Sequence, residues 1–570
     1  MIAPLVTKIR SLFSDGNNRS NIALTFGRSV ILTSIVVTGV VAGMRQMGMF
    51  QGMELGAYDQ IMRSRPERGL DNRLLVVGIS EADIQTRKEY PITDGTLAQL
   101  LEKLQQYQPR AIGIDILRDV PIGDPQGRIA LQQFLQKSDN LIAVCKLSSP
   151  DQPGIAAAPG VPEERVGFAD LPLDPGGTLR RSLLLSTPAA SKVPPPTKHI
   201  CNIPDTENQL PSLGFQLALL YLEPKGIQPE LSPSGEIKLG SSLLKRLDEK
   251  AGGYNQADVG NYQMMLNYRS ASNAVKQVSL TEVLQGKLDP ALIKDRVVLV
   301  GYTAPIVKDE FYTPYSAGAK DNQEMAGVVI HAQNTSQILS AVLDNQPLIW
   351  YWSEGSEILW IWGWSLLGAI LAWRIRRLWL FGIGVVVAVG VLYGTCYLLF
   401  TNAGWIPLVP PAASLLTTAI IVMLIERGYA NAIYQNVKKV ILNIEIDEEK
   451  KQQQVAEITE TETFAELEKK AELLRKRRER REKKTVETKE TKETKEVLEV
   501  APLPKVVEPD DTESDYLEQL IKRSQKLRNK EPEVTPTPEV VEPEDTEDDY
   551  FEQLQKRGKK LKNSNDDTNL

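Results

Sequence analysis

The chain has 570 residues, 42% of them hydrophobic and 24% charged, with a formal net charge of −7. One compact core cannot account for that length, and the acidic balance excludes a general nucleic-acid binder, which needs a basic excess. Two histidines (His199, His331) and three cysteines (Cys145, Cys201, Cys396) leave no ligand set for a structural zinc site or a cluster.

Residues 1–21 carry Lys8, Arg10 and Arg19 and lead into 22–44, an apolar run broken only by Arg28. At about 1.5 Å per residue this run crosses a hydrocarbon core about 30 Å thick. A secretory signal peptide would have a shorter apolar region and a small-x-small cleavage site. Here the run passes into Gln46-Met47-Gly48 with no such site, so it reads as an uncleaved anchor.

Residues 46–355 have the rhythm of an α/β domain with a mixed or parallel sheet. The segments 74–79 (LLVVGI), 111–116 (AIGIDI), 141–145 (LIAVC) and 297–301 (VVLVG) are nearly continuous apolar runs. Such runs suit strands buried on both faces. Leu97, Leu100, Leu101 and Leu104 keep helical spacing between the first two, which makes a βαβ unit. Residues 325–342 are expected to add a strand or helix before the membrane, and Pro194-Pro195-Pro196 marks a surface loop.

An ordered set of motifs runs through this segment. It begins with Tyr58-Asp59 and Arg63-Ser64-Arg65-Pro66, then the run 75–80 followed by Glu81, then Pro109-Arg110-Ala111-Ile112-Gly113-Ile114-Asp115. Val166-Gly167-Phe168, Gly177-x-x-Arg180-Arg181 and Leu266-Asn267-Tyr268-Arg269 come next. The set closes with 298–301 and Thr303-Ala304, Asp309, Thr313-Pro314, and Gly327-Val328-x-Ile330-His331-Ala332. Together these resemble the CHASE type 2 domain, an extracytoplasmic sensory domain of bacterial membrane receptors, flanked in that family by one span before and three after. The resemblance implies an inner- or plasma-membrane sensor. Two departures, Ser80 where the family has Asp and Tyr90-Pro91-Ile92-Thr93-Asp94 in place of a Trp-Pro-x-x-Arg-like stretch, imply a different ligand, or none, if those positions touch one.

Ligands of open α/β sheets bind beyond the carboxyl ends of the strands. Those ends offer Ser80, Glu81, Asp115, Thr303 and Asp309 as candidate ligand-binding residues, with Lys146 nearby. Taken alone, Asp115 reads as a turn cap or an arginine partner, residues 301–303 as a plain turn and His331 as a packed residue. No Gly-x-Ser-x-Gly elbow, His-Glu-x-x-His pair or Walker loop occurs. Binding is therefore expected over catalysis, with no cofactor and no metal. Cys145 and Cys201 can form a disulfide on the oxidising side or remain free thiols, and the sequence leaves both open.

Three further apolar segments, 358–373, 378–400 and 405–425, follow, with tryptophans marking the ends of the first. Arg374, Arg376 and Arg377 separate the first two, and Arg427, Lys438 and Lys439 follow the last. The positive-inside rule puts these clusters and the N-terminus in the cytoplasm. Four spans then alternate consistently and leave 46–355 outside.

The tail changes character. Residues 426–484 begin with an apolar stripe (Ala430, Ile433, Val437, Val440, Ile444) suited to a juxtamembrane helix or short coiled coil. Residues 485–570 are too polar to fold alone and are expected to be disordered. They hold two copies of a short unit, 506–530 and 540–564. Each centres on an aromatic and leucine core, Tyr516, Leu517 and Leu520 in the first and Tyr550, Phe551 and Leu554 in the second. The pair reads as a bivalent docking element for a cytoplasmic protein. No output enzyme is recognisable. The expectation is a non-enzymatic, homo-oligomeric membrane receptor that senses an external small molecule or protein; the alternatives are an envelope or complex-assembly scaffold and, less favoured, an extracytoplasmic hydrolase.

Overall fold

The computed structural model describes residues 19–204, 209–316 and 324–427, and beyond them residues 472, 473 and 476. The docking residues Tyr516, Leu517, Leu520, Tyr550, Phe551 and Leu554, the apolar stripe at 430–444 and the two repeat copies lie outside the described residues. In the tail, Lys476 pairs with Glu472 at 3.0 Å, one helical turn apart.

Helix α1 (Arg19–Gln46) turns through 87° into α2 (Gln51–Ser64). The turn passes through Gly48 at φ +76°, where a side chain would be strained. The α/β domain then runs β1 (Leu74–Ile79), α3 (Glu81–Arg87), α4 (Asp94–Gln105), β2 (Ala111–Asp115), α5 (Pro125–Lys137), β3 (Leu141–Cys145) and β4 (Val166–Phe168). It continues with α6 (Leu213–Leu222), β5 (Lys276–Ser279), β6 (Val297–Tyr302) and α7 (Gly327–Leu343). The chain ends its described course with β7 (Trp350–Tyr351), α8 (Glu354–Arg374), α9 (Leu378–Thr401), β8 (Gly404–Trp405) and α10 (Val409–Glu426).

Six strands form one sheet in the order β5-β1-β6-β2-β3-β4, every neighbour parallel. The continuous apolar runs follow from this geometry, because alternate side chains serve opposite cores. Leu75, Val77, Val298 and Val300 pack under α4 and α5 with Leu97, Leu101, Leu131 and Leu135. Leu74, Val76, Val297 and Leu299 face the other way, toward Leu213 and Leu217 of α6 and Val328 and Ile330 of α7. Residues 325–342 resolve into a two-residue strand, Met325–Ala326, and the buried helix α7. One three-stranded antiparallel sheet contains Arg181–Ser186 and Tyr262–Met265 on the α6 side of the domain. Cys145 and Cys201 are joined in a disulfide, Cα–Cα 6.5 Å, inside a small apolar cluster with Phe168.

Helices α8, α9 and α10 are each long and apolar enough to cross a membrane; a fourth span is reached only if the bent pair α1–α2 is counted as one. The last apolar segment starts four residues later than 405–425. Pro407 disfavours helix at Ile406, so Gly404–Trp405 pairs with Trp350–Tyr351 as β8 and the helix begins at Val409. Between α1, α8 and α10 the contacts are small and hydroxylic: Ser365 Oγ donates to Ser34 O (3.1 Å) and meets Thr418 Oγ1 at 2.7 Å. Such residues let helices approach closely. Helix α9 turns Val386, Val387 and Leu398 outward.

The base of the α/β domain is joined to the adjacent ends of these helices. Glu54 of α2 accepts the free N–H groups of Leu408 (2.9 Å) and Val409 (2.7 Å) at the start of α10. Trp405 packs edge-on against Tyr58 (4.9 Å) and Tyr254 (5.6 Å), and Tyr58 against Phe400 (5.1 Å). Arg45 of α1 donates to Gly252 O (2.7 Å) and pairs with Glu357 of α8. One layer further in, Arg180 grips Asp59 through two bonds (2.8 and 2.7 Å) and donates to Asp174 (2.6 Å). Asp174 also accepts from Arg181 (2.8 Å) and Tyr254 (2.8 Å).

Candidate functional site

The chain leaves β1 through α4 on one face and returns as β2, leaving a slot that β6 later fills, with α7 covering the opposite face. Chain paths therefore diverge at the carboxyl ends of β6 and β2, and a crevice opens there. Gly301 pairs with Asp115 in the β6–β2 register. A Cβ on Gly301 would come within 2.7 Å of Val328 Cβ and 3.3 Å of Asp115 Cβ, so only glycine lets α7 close over the strand ends. The resulting cavity has a volume of about 510 Å³ and is lined by Asp115, Asp170 and Asp309, by Arg118, Lys146 and His331, and by Tyr90, Tyr302 and Phe311. Its size is that of a small-molecule site.

Burial sets the charge state of this site. Asp115 is only 8% exposed; Oδ1 lies 3.9 Å from His331 Nε2 and Oδ2 has no hydrogen-bond partner. The carboxyl neither caps a turn nor pairs with an arginine, because the chain turns away at Ile116 and Arg118 is directed elsewhere. Desolvation pushes Asp115 up to about 7, and burial with the neighbouring Asp115 pushes Asp309 up to about 6. Burial lowers His331 to about 4, against the pull of Asp309 and Asp170, so it is neutral at pH 7. Asp170 is raised by burial although Leu147 N–H donates to it at 2.8 Å. Arg118 is 2% exposed, meets Asp94 at 3.7 Å and lies beside the Tyr302 hydroxyl, neither contact reaching good hydrogen-bond geometry.

These shifts predict a pH dependence. Asp115 binds its proton more readily in the folded chain than unfolded. Its contribution to stability is therefore full below about pH 4 and is lost as pH rises through about 7. His331 runs oppositely: its contribution is present above about 6.5 and is lost as pH falls through about 4. Asp115→Asn removes the first trend and keeps the second, so its melting temperature should gain on the parent between pH 5 and pH 8. The gain should be on the order of 2–4 kcal/mol, or several degrees. A difference between the two proteins that stays flat over that interval would refute the buried, uncompensated carboxyl.

The other residues at the strand ends have structural partners. Ser80 caps α3, its Oγ accepting from Asp83 N–H (3.2 Å) and donating to Asp83 Oδ2 (2.6 Å). Glu81 lies in the first turn of α3 and accepts from Gln85 at 3.4 Å. Thr303 N–H donates to Ile79 O (3.1 Å), and its side chain lies over Gly78. Asp115 and Asp309 come together in the cavity with Lys146, while Ser80, Glu81 and Thr303 are outside its lining. Arg118, Asp170, Tyr90 and Tyr302 are lining residues that strand-end reasoning missed. The departure at Tyr90-Pro91 was the available signal, since both residues form part of the wall. Among the described residues no group of three His, Cys, Asp or Glu is arranged to hold a metal ion.

The family model of the CHASE2 domain matches residues 36–370, more than half of the chain. No curated protein and no solved structure is matched. The motif residues now have visible roles: Asp59 and Arg180 form the buried ion pair, Tyr268 O accepts from Arg65, and Gly301, Asp115, Asp309 and His331 build the crevice. The matched segment contains both the six-stranded sheet and the cavity at its strand ends, and the chain belongs to the CHASE2 family of extracytoplasmic sensory domains.

Proposed function

We propose that this protein is a four-span membrane receptor. Its outer domain takes up a signal in the crevice between β6 and β2, and its spans relay the change to a non-enzymatic cytoplasmic tail. The observation that carries this reading is the joint at the base of the domain. Glu54, Trp405 and the β7–β8 pair tie the sensory fold to the ends of α8, α9 and α10. A ligand that favours one packing of the domain would then favour one arrangement of the helices. We assign α1 as the first span. Helix α2 belongs to the outer domain, because Asp59 is consumed by Arg180 and Tyr58 by the aromatic cluster.

In the same reading both termini are cytoplasmic, the chain self-associates, and the repeated Tyr-[Leu/Phe]-x-x-Leu units at 516–520 and 550–554 hold an intracellular partner by bivalent docking. The tail's polar composition supports docking over an enzyme core.

Polarity is tested by cysteine labelling in intact spheroplasts. Lys192, whose side chain is 78% exposed on the outer domain, is replaced by cysteine, as separately is Ser564 in the tail. A membrane-impermeant maleimide should label Lys192→Cys at once and Ser564→Cys only after permeabilisation. The reverse pattern would overturn the receptor reading.

A further inference from the structure

The cavity offers two kinds of unmet demand. Arg118 belongs to the lining of the cavity, and its three guanidinium nitrogens are buried without a hydrogen-bond partner. Asp94, at 3.7 Å, offsets its charge in part. A buried donor group left this way is costly to keep, and Lys146 adds a second cation to the lining. The α7 end of the cavity is acidic: Asp309 sits against Gly327 at the start of the helix, and Asp115 presents an unpartnered Oδ2. Between them stand Tyr302 and Tyr90, packed edge-on at 6.1 Å.

A simple anion would satisfy Arg118 but meet the carboxylates of Asp115, Asp170 and Asp309. A simple cation would suit those carboxylates and leave the Arg118 guanidinium without a hydrogen bond. We propose that the crevice binds a small zwitterion of the free amino-acid class, its carboxylate held by Arg118 and Lys146 and its ammonium by Asp115 and Asp309. The proposal deepens the receptor reading and rests on the crevice being the signal site. Burial of Asp115 and Asp309 agrees with it, since an ammonium between them restores the ionised form that desolvation opposes.

The test uses the full-length protein in detergent micelles, with the twenty common amino acids, their N-acetyl and carboxamide derivatives, acetate and inorganic phosphate as probes, read by thermal shift and calorimetry. At least one amino acid should stabilise the protein, while its N-acetyl and carboxamide forms, each lacking one charge, should bind at least roughly 10- to 100-fold more weakly. Arg118→Met should abolish the ligand-dependent shift, and the double variant with Asp94→Asn, which keeps the buried pair neutral, should hold the ligand-free melting temperature while still failing to respond to the ligand. Asp309→Asn should weaken binding of the same amino acid and leave the weak binding of its N-acetyl form unchanged. Stabilisation by acetate or phosphate alone, or by none of the probes, would overturn the zwitterion assignment. Either result would leave the receptor reading standing, since that reading falls only on the labelling experiment with Lys192→Cys.

Discussion

Asp174→Asn is expected to destabilise the outer domain by about 3–5 kcal/mol, the range for removing one partner of a buried ion pair. Asp174 balances two arginines at once, Arg180 at 2.6 Å and Arg181 at 2.8 Å, and also accepts from Tyr254. Two arginines and two aspartates, Asp59 and Asp174, make the cluster neutral, so the substitution leaves one net positive charge in the interior. Arg180 keeps its two bonds to Asp59, and Arg181 keeps Gln263 (2.8 Å) and Asp258 O (2.6 Å). The penalty therefore comes from uncompensated charge more than from lost hydrogen bonds. Urea unfolding of the purified protein, followed by tryptophan fluorescence, measures it. Adding Arg181→Gln restores neutrality and should recover part of the loss. A single-variant loss below about 1 kcal/mol, the ordinary worth of one neutral hydrogen bond, would show that the charges are not coupled.

Removing the Cys145–Cys201 link is the other large effect. The bond closes a loop across 56 residues, and the chain-entropy relation gives about 4 kcal/mol for a loop of that size. Cys145→Ser with Cys201→Ser should lower the melting temperature by several degrees. Dithiothreitol should lower that of the parent and leave the double variant unchanged. Cys396→Ser, at a buried thiol of α9, should alter neither response. A parent whose melting and gel mobility are indifferent to reductant would show that the two thiols are free in the protein. Both cysteines are fully buried, so reduction in the native state should be slow.

Much of the fold was legible because its strands are hydrophobic on both faces. LLVVGI, LIAVC and VVLVG could be read without long-range information, and the leucine spacing in α4 likewise. β5 was not legible: Lys276–Ser279 is a polar edge strand that buries only Val278. The cavity was half legible. Asp115 and Asp309 stand at strand ends, where topology alone predicts a crevice. Arg118 stands in the loop three residues past β2, and nothing local fixes which way its side chain turns. The Asp59–Arg180 pair joins residues 121 apart, a contact that single-sequence reasoning cannot see. Its residues drew notice only within the family motif. The disulfide stayed open for a similar reason, since the approach of Cys145 to Cys201 depends on how residues 146–200 pack.

The joint at the base of the domain also fixes how far a small disturbance can travel. Helix α1 has 28 residues, roughly 42 Å from end to end. It is held at one end by Arg45, and further along Ser34 O accepts from Ser365 Oγ of α8. Such a helix behaves as a lever: a swing of about 5° at the anchored end carries the opposite end sideways by about 4 Å. Because Glu54 binds the first turn of α10 and Arg45 binds Glu357 of α8, these neighbours are constrained to swing in concert. In the receptor proposed above, a displacement in the crevice of less than an ångström thus reappears, enlarged, at the end of α1 remote from Arg45.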